Sequence, residues 1–187
     1  IELLQTPLFF RALLSGIIIA LMASLWGTFI VLKNNSFFAD GIAHASLAGI
    51  AFALLLGLEP LPIALILGIL MAIFITYFSK RSVLSSDNLT GIFYTFLFAI
   101  GIILISQFPS YRPDLTTYLF GSILAVTWTE IFISAIFLFI VLIILRIFSR
   151  QLLYTTFDPE SANIRGIKTH FFEYLINIIS SIIIILS

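Results

Sequence analysis

Apolar residues come in long runs along this chain, and short polar links separate them. A helix that crosses a bilayer needs about 20 mostly apolar residues at ~1.5 Å each. By that measure, spans are predicted over Leu8 to Leu32, with Arg11 near its start, and over Gly41 to Leu58, which contains His44. Two uncharged spans follow, Leu61 to Ser79 and Leu89 to Ser106. From Leu115 to Leu145 the only charge is Glu130. A single straight helix there would be about 46 Å long, too long for a hydrocarbon core of ~30 Å. The stretch therefore divides into a short segment, Leu115 to Val126, and a span, Trp128 to Leu145. A last span begins near Phe171. The links at 33–36, 59–62, 82–88 and 109–114 are rich in turn formers, and Asp40, Asp87 and Asp114 are expected N-caps.

Composition agrees with this pattern. Hydrophobic residues make up 61% and charged residues 10%, whereas an ordinary soluble domain is about half apolar and a quarter charged. Lipid must solvate much of the surface, so the fold class is all-α, a polytopic transmembrane helix bundle. We expect one transmembrane domain over 1–187, without a short repeat or a soluble domain. The chain begins at Ile1 and ends at Ser187, directly after the apolar run Ile182 to Leu186, which suggests a fragment, truncated at the C-terminal end. The basic start and small-residue cleavage pattern of a signal peptide are not present. The formal net charge is zero, so nothing points to nucleic acid as a partner. The absence of cysteine excludes disulfides, thiolate metal sites and a cysteine nucleophile. Two methionines, Met22 and Met71, are too few for a thioether copper path. With the N-terminus outside, Lys33, Lys80, Arg81, Arg146, Arg150, Arg165 and Lys168 fall inside, and only Arg11 and Arg112 fall outside. This is the orientation that the positive-inside rule prefers.

The second span carries the candidate chemistry. Gly41, Ala45, Gly49 and Ala53 recur every four residues and would form a smooth stripe against which another helix can pack closely. Asp40 and His44 are also four apart, so they share a face. A carboxylate and a neutral imidazole suit zinc or manganese, and ionisable groups in a span default to function. From spacing alone, however, the plainer reading carries more weight: Asp40 as a cap and His44 bonded to a neighbouring helix. Other polar groups read more simply. Glu130 beside Trp128 is an interfacial anchor, and His170 and Glu173 sit at headgroup level. Asp158 caps a short helix with Pro159 at its first position and Glu160 near its positive end, and Gly166 closes it. Phe157, Ala162 and Ile164 offer it apolar contacts.

Four separated stretches carry a family resemblance: Gly27 to Lys33 followed by Ser36-Phe37-Phe38-Ala39-Asp40-Gly41-Ile42-Ala43-His44-Ala45-Ser46-Leu47; Asp87 to Ile92; Asp114 to Leu124; and Phe157-Asp158-Pro159-Glu160-Ser161-Ala162, ending in Arg165-Gly166-Ile167. Standing in this order, they resemble the permease family of zinc, manganese and iron ABC importers. The resemblance implies a multi-pass protein of the bacterial plasma membrane that pairs with a second permease copy. It implies a cytoplasmic ABC ATPase and an extracytoplasmic metal-binding protein as further partners, with the lipid bilayer as surroundings. No permanently bound cofactor is implied, only a transported divalent metal ion, and the permease itself is not an enzyme. The family's metal-path acid and histidine match Asp40 and His44. The segment 147–169 matches the cytoplasmic coupling segment, with Phe157, Asp158, Pro159, Glu160, Ala162 and Gly166 as its ATPase-coupling residues. Family members usually carry further spans beyond the last one here. The competing readings are an importer of a metal chelate such as a siderophore or corrinoid, an intramembrane hydrolase using Asp40 and His44, and a passive channel. The hydrolase lacks paired carboxylates in the spans and an H-E-x-x-H motif.

Overall fold

The computed structural model describes residues 7–33, 35, 37–106 and 126–187. Among these residues seven helices follow in order: α1 (Pro7–Leu32), α2 (Phe38–Leu56), α3 (Pro60–Ser79), α4 (Ser86–Ser106), α5 (Trp128–Phe157), α6 (Pro159–Ile164) and α7 (Thr169–Leu186). All but α6 are long and apolar enough to cross a membrane. The expected short segment Leu115 to Val126, the Asp114 cap, Arg112 and the stretch Asp114 to Leu124 fall wholly or almost wholly outside the described residues.

Local chemistry sets the helix ends. α2 closes on Gly57, whose φ of 65° is left-handed and whose N–H returns to the Ala53 and Leu54 carbonyls. α3 opens on Pro60, where a missing N–H costs nothing. α5 opens with a capping box: the Thr127 hydroxyl accepts from the Glu130 N–H at 3.3 Å, and the Glu130 carboxylate accepts from the Thr127 N–H at 2.9 Å. Glu130 thus has a specific local role beyond interfacial anchoring. α5 also runs past the expected end at Leu145 to Phe157. Arg146 and Arg150 are good helix formers, and no breaker occurs before Asp158-Pro159.

Two expected caps are corrected. Phe37, not Asp40, occupies the N-cap position of α2 and makes no side-chain cap bond, which leaves Asp40 in the first turn. At α4 the Ser85 hydroxyl accepts from the Asn88 N–H at 3.2 Å, while Asp87 reaches across to accept from the Phe37 N–H at 3.4 Å. Asp87 therefore ties the start of α4 to the start of α2.

Helix α2 sits between α3 and α4. Gly41, Ala45, Gly49 and Ala53 are all buried. A Cβ on Gly49 would stand 2.9 Å from the Ala64 Cα of α3. On the other side, a Cβ on Gly101 of α4 would stand 3.1 Å from the Ala48 N. Backbones this close supply the packing that lipid, being as apolar as leucine, does not drive. A second cluster joins α1, α5 and α7 around Met22, Trp26, Val141, Leu152 and Ile176. Polar bonds fasten α7 to both clusters. The Trp26 indole donates to Ser180 Oγ at 3.0 Å and to the Ile176 carbonyl at 3.3 Å. Asn177 Nδ2 donates to Thr76 Oγ1 at 2.8 Å.

The helix directions are fixed by shared ends. One cavity is lined by the ends of α1, α3 and α5 and by the starts of α4, α6 and α7. At the opposite end, Arg11 of α1 lies 6.0 Å over the Trp128 ring of α5. Lys33, Lys80, Arg81, Arg165 and Lys168 therefore share one end of the bundle, opposite Arg11, as the basic-loop count predicts.

Candidate functional site

Asp40 and His44 lie on α2 in the two turns nearest the basic end. Asp40 is exposed, and His44 is half-buried against α4. The His44 ring lies 5.7 Å from that of Tyr94 and 5.2 Å from that of Phe98, the latter edge-on at 71°. Two aromatic walls thus hold the imidazole in place. Among the described residues its buried Nδ1 has no hydrogen-bond partner, an arrangement that costs stability unless something is received there. The plainer reading of His44, a bond to a neighbouring helix, is not what these contacts supply at Nδ1.

Beside this pair, an open groove of about 700 Å³ runs along the start of α4, lined by Phe37, Asp87, Asn88, Gly91, Tyr94 and Thr95. Tyr94 is common to the groove and to the wall of His44. Among the described residues, no three acidic, histidine or cysteine side chains come together in a ready metal cluster.

The short helix α6 is mounted firmly at the basic end. Asp158 caps it, accepting from the Ser161 N–H at 3.0 Å, and Pro159 follows at the first position. Hydrogen bonds from the Ser161 side chain and backbone hold the Asp158 carboxyl below the usual carboxylate range. The cap is therefore ionised at neutral pH and is lost only as the pH falls through that depressed value. Gly166 turns the chain with φ of 77°. Arg165 donates to the Tyr154 hydroxyl at 2.9 Å and lies 4.8 Å over its ring, and Thr169 donates to Asn163 at 2.9 Å. Phe157 and Ile164 are 66% and 87% exposed, so they present apolar surface outward. Ala162, read with them as an apolar contact residue, is by contrast fully buried. Lying three residues past Pro159, it seats the helix on the bundle.

His170 and Glu173, expected at headgroup level, both meet Lys80 of α3, Glu173 as an ion pair. The sequence carries no sign of this meeting across some ninety positions. The same holds for Tyr94 and Phe98 around His44, because aromatic residues are spread through every span.

The model of the ABC 3 transport family matches residues 5–187. The manganese import system permease protein ScaB of Streptococcus gordonii is 39% identical over 173 residues, which cover 92% of this chain and 62% of that protein. The high-affinity zinc uptake system membrane protein ZnuB of Haemophilus influenzae is 32% identical over 178 residues, covering 95% of this chain and 68% of that protein. The solved structure of PsaBC from Streptococcus pneumoniae in complex with Fab superposes with a TM-score of 0.79 at 34% identity, covering 98% of this chain and 66% of that one. The chain thus spans about 62% of the length of ScaB. Six apolar helices and these relatives make it a multi-pass protein of the bacterial plasma membrane. With the match running from residue 5 to residue 187, the chain belongs to the ABC 3 transport family.

Proposed function

We propose that this chain forms the membrane-spanning part of a permease that imports a divalent transition metal ion, manganese, zinc or iron, by alternating access powered by a separate ATPase. The observation that carries the reading is the His44 imidazole, fixed between Tyr94 and Phe98, its Nδ1 without a partner among the described residues, one turn from the exposed Asp40 carboxylate. Relatives bearing the names of manganese and zinc systems support the choice of cargo. An imidazole and a carboxylate suit these ions. Two ligands per chain leave the coordination open, to be completed by water or by a second copy. Incomplete coordination suits a station that an ion must leave as readily as it enters. The permease performs no covalent chemistry.

Uptake of radiolabelled manganese and zinc tests this in cells that carry the full-length protein in place of their own importer. Asp40→Ala and His44→Ala are each expected to reduce uptake about tenfold or more at unchanged protein level, in line with the loss of a metal-ordering group. Unchanged uptake in both variants removes the proposal.

In the same reading, α6 is the lever that an ATPase grips, with Phe157, Ile164 and Glu160 as its outward face and Asp158, Pro159, Ala162 and Gly166 fixing its shape. Co-purification of the co-expressed ATPase is expected to be lost with Glu160→Lys and kept with Lys168→Ala. An ATPase retained equally by both variants would separate α6 from that role.

A further inference from the structure

At the basic end, a second cavity of about 450 Å³ opens among the ends of α1, α3 and α5 and the starts of α4, α6 and α7. Lys33, Asn35, Lys80, Thr155, Glu173 and Asn177 are among its lining. Its charges do not balance. Lys80 is paired with Glu173, whereas Lys33 forms no ion pair among the described residues. Two ammonium groups against one carboxylate leave one positive charge in a partly enclosed space. Burial pushes the Lys33 amine below its usual range, and Lys80 pushes the same way, with Glu173 only partly opposing them. The cavity also holds an idle donor: Thr155 is 1% exposed, and its hydroxyl has no partner among the described residues. Asn177, by contrast, is committed to Thr76.

We propose that this cavity binds a phosphate group carrying about one net negative charge, held by the Lys33 ammonium and the Thr155 hydroxyl. A divalent cation would meet two ammonium groups there, so the cavity is not a second station for metal. In the orientation that the positive-inside rule prefers, the basic end faces the leaflet where anionic lipids gather, and basic pockets between spans on that side suit such headgroups. A phosphodiester headgroup and a soluble phosphate share this chemistry. The site stands whether or not the chain moves a metal.

The test uses the full-length protein, delipidated in neutral detergent, with its thermal melting followed during titration. Three probes are compared: dioctanoyl phosphatidylglycerol, dioctanoyl phosphatidylcholine and inorganic phosphate. We expect half-saturation by the glycerol lipid at a concentration about tenfold below that of the choline lipid, and a weakening of about tenfold in Lys33→Gln, the scale of one charged hydrogen bond. Thr155→Val, which keeps the volume, weakens binding by a smaller factor. Lys33→Arg restores it, and Lys168→Gln leaves it unchanged. If inorganic phosphate saturates at the lower concentration with the same dependence on Lys33, the occupant comes from solution and not from the bilayer. A stabilisation that ignores both Lys33→Gln and Thr155→Val, or no stabilisation by any probe, overturns the site.

Discussion

Replacing Gly49 by leucine is expected to prevent the bundle from assembling, and Gly49→Ala is expected to destabilise it by about 1–3 kcal/mol. Even a single methyl at this position would stand 2.9 Å from the Ala64 Cα and 3.2 Å from both the Ala64 N and the Ile63 carbonyl oxygen. All three neighbours are backbone, so no side chain can swing aside. The strain must be relieved by moving α2 from α3, which also disturbs the seat of Ala48 against Gly101 on the other side of α2. In lipid the attraction between spans comes largely from such close packing, so separation is not compensated. Gly16→Ala is the matched control, because nothing lies within 4 Å of its added Cβ. Thermal unfolding of the full-length protein in micelles measures both variants. Equal melting temperatures would show that α2 and α3 do not depend on this contact.

Trp26→Ala is the second large effect, with an expected loss of about 3 kcal/mol from the cavity left by a fully buried indole. Trp26 is 0% exposed, at the centre of the cluster of α1, α5 and α7. Its N–H is shared between Ser180 and the Ile176 carbonyl. Trp26→Phe separates the two contributions. Ser180 already donates to the Ile176 carbonyl at 2.7 Å, so losing the indole N–H strands no buried donor. The expected cost of the phenylalanine variant is therefore near the ~0.6 kcal/mol typical of a hydrogen bond between membrane helices, plus a small packing loss. A phenylalanine variant as unstable as the alanine one, in the same unfolding measurement, would place the energy in the hydrogen bond.

The spans were legible in the sequence because each is a long apolar run bounded by turn residues, and most boundaries moved by only a few positions. α5 runs past the apolar stretch because its end is signalled by Asp158-Pro159 and not by the earlier arginines. The roles of Asp158, Pro159 and Gly166 in shaping α6 are legible because a cap and a turn are local. The role of Asp87 is not, because its partner is the Phe37 N–H at the start of another helix. The Thr127-x-x-Glu130 box is an equally local capping signal, and it gives Glu130 a role that its neighbouring tryptophan does not suggest. Asn177 with Thr76, Trp26 with Ser180, and Lys80 with Glu173 left no trace, because a polar residue within an apolar run does not announce which neighbour will satisfy it. At the candidate site the pair on α2 was visible from its spacing, but the aromatic walls on α4 depend on how the helices pack.

The length of α5 has a consequence for what can reach α6. Its 30 residues measure about 45 Å at 1.5 Å each, roughly the hydrocarbon core plus both headgroup layers. Even at a moderate tilt, its last turns clear the oily interior, so the platform that follows stands at the watery rim of the membrane. A bulky visitor from the aqueous side can therefore meet Phe157 and Ile164 without parting any lipid.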